Sequence, residues 1–406
     1  MKKYQPDSEY RADIKSPEIQ KKIKEANEAY RNFYKENIKQ LDLENPKSIS
    51  EAYKKAQEKG VFKKAQEIRK LLFGKDIHFY GVSYLWDACI NYCAYCPGSV
   101  PNRKKAIEAG KEYPLRELSV EQAVVDTLAV MEDGHTHICY LTGSAPGRER
   151  LPEKIVPYLK AFDDLGLTEI ILNIEPASEE GFKKMRKAVK KTSLQFRVFQ
   201  ETYNRETYAK MHPKGPKADY DFRRQSQARA IKAGFDNVGL GALFGLHRYP
   251  LEEIEGLRKH AEELEKEHGV KPARVCLPSA NELTNIGVNI PYFLKRGVYT
   301  KGREKLVKAG EYEKFNELIY ALARLAMPTI NIVSSERDGP GMLKILDKYA
   351  TCTTLNVHPG VGDNAKIFPC NGHKKTHFEQ ATTFPRKPKK TIKDMIRRGY
   401  NPIIKR

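Results

Sequence analysis

The chain has 406 residues, 40% of them hydrophobic, which is ample for a core and excludes wholesale disorder. Its net charge of +20 is mostly Lys interleaved with Glu on helical stretches such as 20–35 and 252–267, a pattern of solvated helix faces rather than a nucleic-acid surface. No apolar run reaches the length of a membrane span, and seven cysteines with three clustered point to a reducing cytoplasm rather than a disulfide scaffold.

The N-terminal Met-Lys-Lys-Tyr-Gln-Pro has no apolar stretch, so no secretory signal is expected. From Ser16 to about Leu41, the residues Ile19, Ile23, Ala26, Tyr30 and Phe33 recur at helical spacing, and Ser16-Pro17 is a start signal. Two shorter helices are predicted over 50–59 and 62–73, ending at Gly60 and Gly74. This strand-free stretch, residues 1–75, reads as a helical extension packed on a barrel.

From Ile77 onward, short β-rich runs alternate with amphipathic helices. Strands are predicted over 78–86, 136–142, 168–174, 194–199, 237–243, 274–277, 329–334 and 353–357. The best-marked helix begins at Ser119, carries Gln122 in capping-box position and stops at Gly134; another spans 152–166. This alternation predicts an α/β fold, a (β/α)8 barrel of the TIM type over 76–360, with a C-terminal cap segment over 361–406.

Directly after the first strand, at the barrel mouth where active sites form, comes Asp-Ala-Cys89-Ile-Asn-Tyr-Cys93-Ala-Tyr95-Cys96. The spacing C-x3-C-x2-C places three thiolates on three corners of a 4Fe–4S cube and leaves one iron open. An open iron can chelate the amino and carboxylate groups of S-adenosylmethionine (SAM). An electron passed into the sulfonium would split a C–S bond and leave a 5′-deoxyadenosyl radical, which abstracts hydrogen from a second molecule. A zinc site would call for a fourth ligand in a second paired motif, and none lies nearby. After the second strand, Tyr-Leu-Thr-Gly143-Ser144-Ala-Pro carries a glycine suited to close approach of a ligand. Cys139, Cys276 and Cys352 read as core filler, and His135 and His137 as structural residues at the bottom of the barrel. His247, just past the fifth strand, is a candidate proton donor or acceptor or else a rim hydrogen bond.

The cysteine spacing, with Tyr95 before the last cysteine, resembles the radical SAM signature. Gln200-Glu201-Thr202-Tyr203, Tyr208, His212-Pro213, Gly215-Pro216, Asp219-Tyr220, Arg223, Arg229-Ala230 and the run from Gly239 to Leu246 are more distinctive. Through them the chain closely resembles the aromatic amino acid lyase branch of the radical SAM superfamily, from about His78 to Tyr400, including Phe378-Glu379. The resemblance implies that Cys89, Cys93 and Cys96 ligate the cluster and that Tyr95, Gly143, Ser144, Glu175, Glu201, Arg223 and Arg229 surround SAM. The glycines from Gly239 to Gly245 have the wrong spacing for a dinucleotide fingerprint and read as a strand end that lets adenosine approach. The family resemblance further implies an oxygen-sensitive enzyme supplied by an electron donor such as ferredoxin or flavodoxin. The implied reaction is radical Cα–Cβ cleavage of a small amino acid substrate, for tyrosine giving dehydroglycine and a cresol-type product, in cofactor or vitamin biosynthesis. His247 and Arg337 are the candidates for catalytic roles.

Three departures from the family stand out. Ser144 replaces a glutamate, and Ser279 replaces an arginine suited to a substrate carboxylate, for which Asn281, Arg337 or a backbone nest are the candidate substitutes. The chain ends at Arg406, where one branch carries a second cysteine motif, so that branch's diatomic-ligand chemistry is not expected. Cys370, His373 and His377 form a C-x2-H-x3-H run that reads more readily as a solvated loop than a metal site. Another small metabolite in metal-cofactor assembly remains an alternative substrate. A tRNA-modifying enzyme, predicting salt-sensitive RNA affinity, and an iron–sulfur carrier that does not cleave SAM are the readings from other classes.

Overall fold

The computed structural model describes residues 12–108, 110, 114–279, 310–336, 342–368 and 386–403. Its strands are β1 (Asp76–Trp86), β2 (His137–Thr142), β3 (Glu169–Asn173), β4 (Ser193–Arg197), β5 (Asn237–Gly241), β6 (Arg274–Cys276), β7 (Asn331–Ser334), β8 (Cys352–Thr354) and β9 (Asn401–Ile403). β1 to β8 pair in sequence order, all parallel, and β1 closes the ring by pairing with β2 on one edge and β8 on the other. This is a (β/α)8 barrel of the TIM type, and each of the eight strands read from the sequence is present. β9, which the pattern did not predict, pairs with the start of β1 through Asp76, Ile77 and His78. Just before it, the helix Pro388–Arg397 sets Met395 against Ile77, Phe79 and Leu355 on the outside of the barrel.

The helices follow from local signals. Helix α1 (Pro17–Asn37) starts at the Ser16 cap, with Ile19, Ala26, Tyr30 and Phe33 on its buried face. It ends four residues short of the predicted Leu41. Helices α2 (Lys47–Glu58) and α3 (Val61–Phe73) follow, and α1, α2 and α3 all pack on the helix Tyr312–Ala326. From Leu318 to Ala326 every residue of that helix is buried, with α1 to α3 over it and β7 beneath, while Glu313 in its first turn stays exposed. Its one buried cation, Arg324, donates from Nε and Nη1 to the carbonyls of Tyr349, Pro328 and Ile330 at 2.9–3.0 Å. The helix Val120–Glu132 has the complete capping box of Ser119 and Gln122.

Inside the ring, residues two apart on each strand point inward. The lowest polar layer is a closed network in which Arg274 of β6 donates to Glu169 Oε2 of β3 at 2.7 Å and to Gln195 Oε1 of β4 at 2.9 Å. All three side chains are fully buried. Above this plug the barrel is hollow and opens at the C-terminal ends of the strands. Among the described residues, no helix is long and apolar enough to cross a membrane.

Candidate active site

The cysteine loop is pinned on every side by backbone contacts. Tyr92 N and Ala94 N donate to the carbonyls of Lys214 (3.0 Å) and Met211 (2.8 Å), so the loop lies on the segment that follows β4. Asn102 Nδ2 donates to the carbonyls of Ala94 and Cys96 at 3.3 and 2.8 Å, closing the loop on itself. Asn91 reaches both ways, accepting from Lys217 N at 2.8 Å and donating to Glu175 Oε2 at 3.3 Å. Two glycines make this docking sterically possible. A Cβ on Gly143 would lie 2.1 Å from the carbonyl oxygen of Ala88, and one on Gly215 would lie 2.7 Å from Asn91 Oδ1. The approach that Gly143 permits is therefore that of the cysteine loop, a role its position at a strand end did not disclose.

Cys89, Cys93 and Cys96 open into one cavity with Tyr95, Gly143, Ser144, Glu175, Glu201, Lys217 and Arg223. The cavity runs from the cysteine loop at the barrel mouth down to Tyr80, Cys139 and Arg197 inside the ring. Burial pushes the Cys96 thiol up to about 12 and that of Cys93 higher still, while the neighbouring Lys217 pulls both back. A cluster ligand must be a thiolate, so binding there releases protons, and the lysine offsets part of the resulting charge. Among the described residues, no three side chains are gathered closely enough to hold a single metal ion. Soft donors on one pinned loop, beside a cation, fit a 4Fe–4S group.

Ser144 Oγ stands 3.0 Å from Cys89 Sγ and accepts from Ile90 N at 3.2 Å, so it buttresses the loop. Tyr95 is fixed by His212, whose Nδ1 donates to Tyr208 O at 3.0 Å and leaves Nε2 to accept from the tyrosine hydroxyl at 2.9 Å. Burial and the cations Lys217 and Arg223 hold His212 well below the usual histidine range, consistent with that neutral tautomer. Glu201 adopts φ 70°, a left-handed backbone that is costly for a residue with a side chain. Its carboxylate meets Lys217 Nζ at 2.5 Å and Arg223 Nη2 at 3.9 Å.

The strained turn is held by Glu253 of the helix Pro250–His268, which accepts from Thr202 Oγ1 and from Tyr203 N. Burial pushes the Glu253 carboxyl up to about 7 from its ordinary 4.5. The fold thus favours the protonated form, so this contribution is complete at pH values below 4.5 and is lost as pH rises through 7. The loss amounts to about 3 kcal/mol at most. Glu253→Gln is expected to be more stable than wild type at pH 8 and to flatten the decline between pH 5 and 8, as urea unfolding at four pH values would show. An unchanged slope would mean the carboxylate is solvated.

No protein-family model matches the chain. Among curated proteins, 2-iminoacetate synthase of Escherichia coli is 29% identical over 185 residues, 45% of each chain. The Salmonella typhimurium 2-iminoacetate synthase is 29% identical over 189 residues, 46% of each. The match thus spans about half the length of these relatives. Among solved structures, the FeFe-hydrogenase maturase of Carboxydothermus hydrogenoformans aligns with a TM-score of 0.71 at 25% identity, covering 95% of this chain and 85% of that one. Methylornithine synthase shares the fold, with a TM-score of 0.60 at 17% identity over 93% and 97% of the two chains. This chain resembles the radical SAM aromatic amino acid lyases.

Several residues singled out by sequence lie elsewhere than expected. Arg229 does not line the cavity; it donates to the carbonyls of Ala177 and Phe222 at 3.2 and 2.6 Å and stacks on the Phe222 ring. His247 is a rim hydrogen bond, held between Thr207 Oγ1 at 2.9 Å and Glu252 Oε2 at 3.0 Å, and it too is outside the lining. Ser279 faces Asn316 Oδ1 at 2.8 Å rather than the cavity. The missing side chains of Gly239 and Gly241 leave room for Arg197 and Phe199 of the adjacent chain segment, whose atoms would lie 2.7 and 2.3 Å from an added Cβ. Cys139 and Cys276, expected to be core filler, line the cavity, together with Tyr80 and Arg197, which no motif marked. The inward register of β1, β2, β4 and β6 brings these four together. Cys352 is buried in the core as expected, and His135 is buried with Nε2 3.1 Å from Leu355 O, just past the end of β8. Asn281, Arg337, Cys370, His373 and His377 lie outside the described residues.

Proposed function

We propose that this chain is a radical SAM enzyme that cleaves SAM reductively and acts on a small substrate, with tyrosine-lyase-like Cα–Cβ cleavage as the leading reaction. The observation that carries the reading is the convergence of three cysteines from one loop with Glu175, Glu201 and Arg223 in a single barrel-mouth cavity. When bound, a 4Fe–4S cluster with SAM on its open iron supplies a 5′-deoxyadenosyl radical able to abstract hydrogen from a second molecule. Cys89, Cys93 and Cys96 would hold the cluster. Glu175 and Glu201 offer carboxylates for ribose hydroxyls, and Arg223, fixed by donating from Nε to Phe199 O at 2.7 Å, offers a guanidinium for the methionyl carboxylate. Asn91 ties the cysteine loop to Glu175, so the two halves of the site keep one geometry. The barrel plug of Arg274, Glu169 and Gln195 closes the cavity from below and keeps water from entering by that route. An external one-electron donor such as ferredoxin or flavodoxin is the partner this chemistry needs.

One observation favours a second reading of the substrate. Ser279, where the lyases place an arginine, is turned to Asn316 and offers nothing to a substrate carboxylate. A small metabolite other than tyrosine is therefore the alternative. Anaerobic turnover of the reconstituted protein with SAM, reductant and tyrosine separates the cases by mass spectrometry. Deoxyadenosine with p-cresol is the expected result. Deoxyadenosine without cresol would remove tyrosine while keeping radical chemistry, and absence of both would sink the proposal.

A further inference from the structure

Arg197 is the inward residue of β4 one layer above the plug, and it lines the cavity with only 2% of its surface exposed. Its Nε and Nη1 have no hydrogen-bond partner, and no carboxylate among the described residues lies within salt-bridge reach of it. Arg274, one layer below, is already paired with Glu169 and Gln195. The immediate neighbours of Arg197 are the Tyr80 phenol and the Cys139 thiol, both held above their ordinary values by burial, and the thiol hydrogen-bonds with the Arg197 side chain. The guanidinium rests on the Tyr80 ring, 4.5 Å from its centroid. Gly239, its partner across the β4–β5 ladder, makes space for it, since a Cβ there would come within 2.7 Å of Arg197 Cγ. A buried cation in a low-dielectric site is costly without an anion. Here the space has been cleared and the ring positioned for a cation that borders the hollow.

We propose that Arg197 is the substrate-anchoring cation of this cavity, binding the carboxylate of a small substrate from the floor of the barrel and taking the place of the arginine absent at Ser279. The inference rests on the reading of the cavity as a radical SAM site, and it deepens that reading by naming the substrate class: a small molecule bearing a carboxylate that reaches the barrel floor, with its reactive end directed up toward the cysteine loop. A guanidinium presents a planar set of N–H donors that matches a carboxylate and gives it a fixed orientation, which a lysine would not.

The test uses the cluster-loaded, SAM-saturated protein under anaerobic conditions, with equilibrium dialysis of three probes: acetate, L-tyrosine and tyramine, which is tyrosine without its carboxylate. Wild type is expected to bind acetate, tyrosine or both, and not tyramine. Arg197→Met is expected to weaken that binding about 10- to 100-fold, with Arg197→Lys in between and SAM binding unchanged. Because methionine keeps the aliphatic packing at Gly239 and removes a buried cation that has no carboxylate partner among the described residues, the melting temperature of Arg197→Met should equal or exceed that of wild type; a clear fall would assign Arg197 a structural role and overturn the inference. Binding of tyramine as tight as that of tyrosine, wild-type affinity in Arg197→Met, or no carboxylate bound would each overturn it too. SAM binding, read in the same samples, separately decides the radical SAM reading: its absence from wild type sinks that proposal, while the carboxylate arm alone decides Arg197.

Discussion

Gly143→Val is expected to lower SAM cleavage about 100-fold without removing any cluster ligand. The reason is steric and entirely backbone. The added Cβ would lie 2.1 Å from the Ala88 carbonyl oxygen, 2.5 Å from its carbon and 2.8 Å from the Asp87 carbonyl oxygen, with no flexible side chain to yield. Restoring ordinary contact requires the start of the cysteine loop to lift by more than about 1 Å. That movement breaks the bonds from Gly143 N to Trp86 O and from Ala145 N to Ala88 O, which lock the loop to the end of β2. The comparator is Cys93→Ser, which removes a buried ligand and should reduce cleavage to background. Iron and acid-labile sulfide per chain, with deoxyadenosine release, distinguish the two: the serine variant fails to load, while the valine variant loads poorly and turns over slowly. Full loading with wild-type turnover in Gly143→Val would show that this contact does not constrain the cysteines.

The parts of this molecule that were legible from the sequence share a feature: their signal is local. The strands were visible as β-rich runs, the helix after Ser119 by its capping box, and the cysteine loop by its spacing. What was not legible depends on which way a residue faces across the ring. In a parallel barrel both faces of a strand are buried, so inward and outward positions have similar hydrophobicity and the alternation that marks an amphipathic strand is absent. Cys139 and Cys276 therefore looked like any core residue, though they face the cavity. Arg197 was the exception that carried a signal: a charged side chain in the middle of a predicted buried strand needs a partner or a purpose.

The glycines teach the same lesson through register. Gly239 and Gly241 looked like a ligand-binding run because glycines at a strand end often are. Only the pairing of Arg197 with Gly239 shows that a large side chain on one strand is accommodated by the missing side chain on the next. β9 was missed for a related reason. Asn-Pro-Ile is a poor strand on its own terms and is one only because the first residues of β1 offer it a free edge.

Glu169→Ala is expected to cost about 3–5 kcal/mol of stability, because it leaves a buried guanidinium without its carboxylate. Arg274 and Glu169 are each 1% exposed at the side chain and meet at 2.7 Å. The gap left by alanine is enclosed by Gln195 and the strands around it, and the stranded charge would then lie one layer beneath a second cation, Arg197. Glu169→Gln keeps an oxygen for Arg274 and loses only the charge, so about 1.5–3 kcal/mol is expected. The double change Glu169→Met with Arg274→Met removes both charges together and should cost less than the alanine variant. Urea unfolding at pH 7 orders the three. A Glu169→Ala protein within about 1 kcal/mol of wild type would mean that water reaches the barrel floor, and with it that the Arg197 site above is wetter than a dry anion pocket.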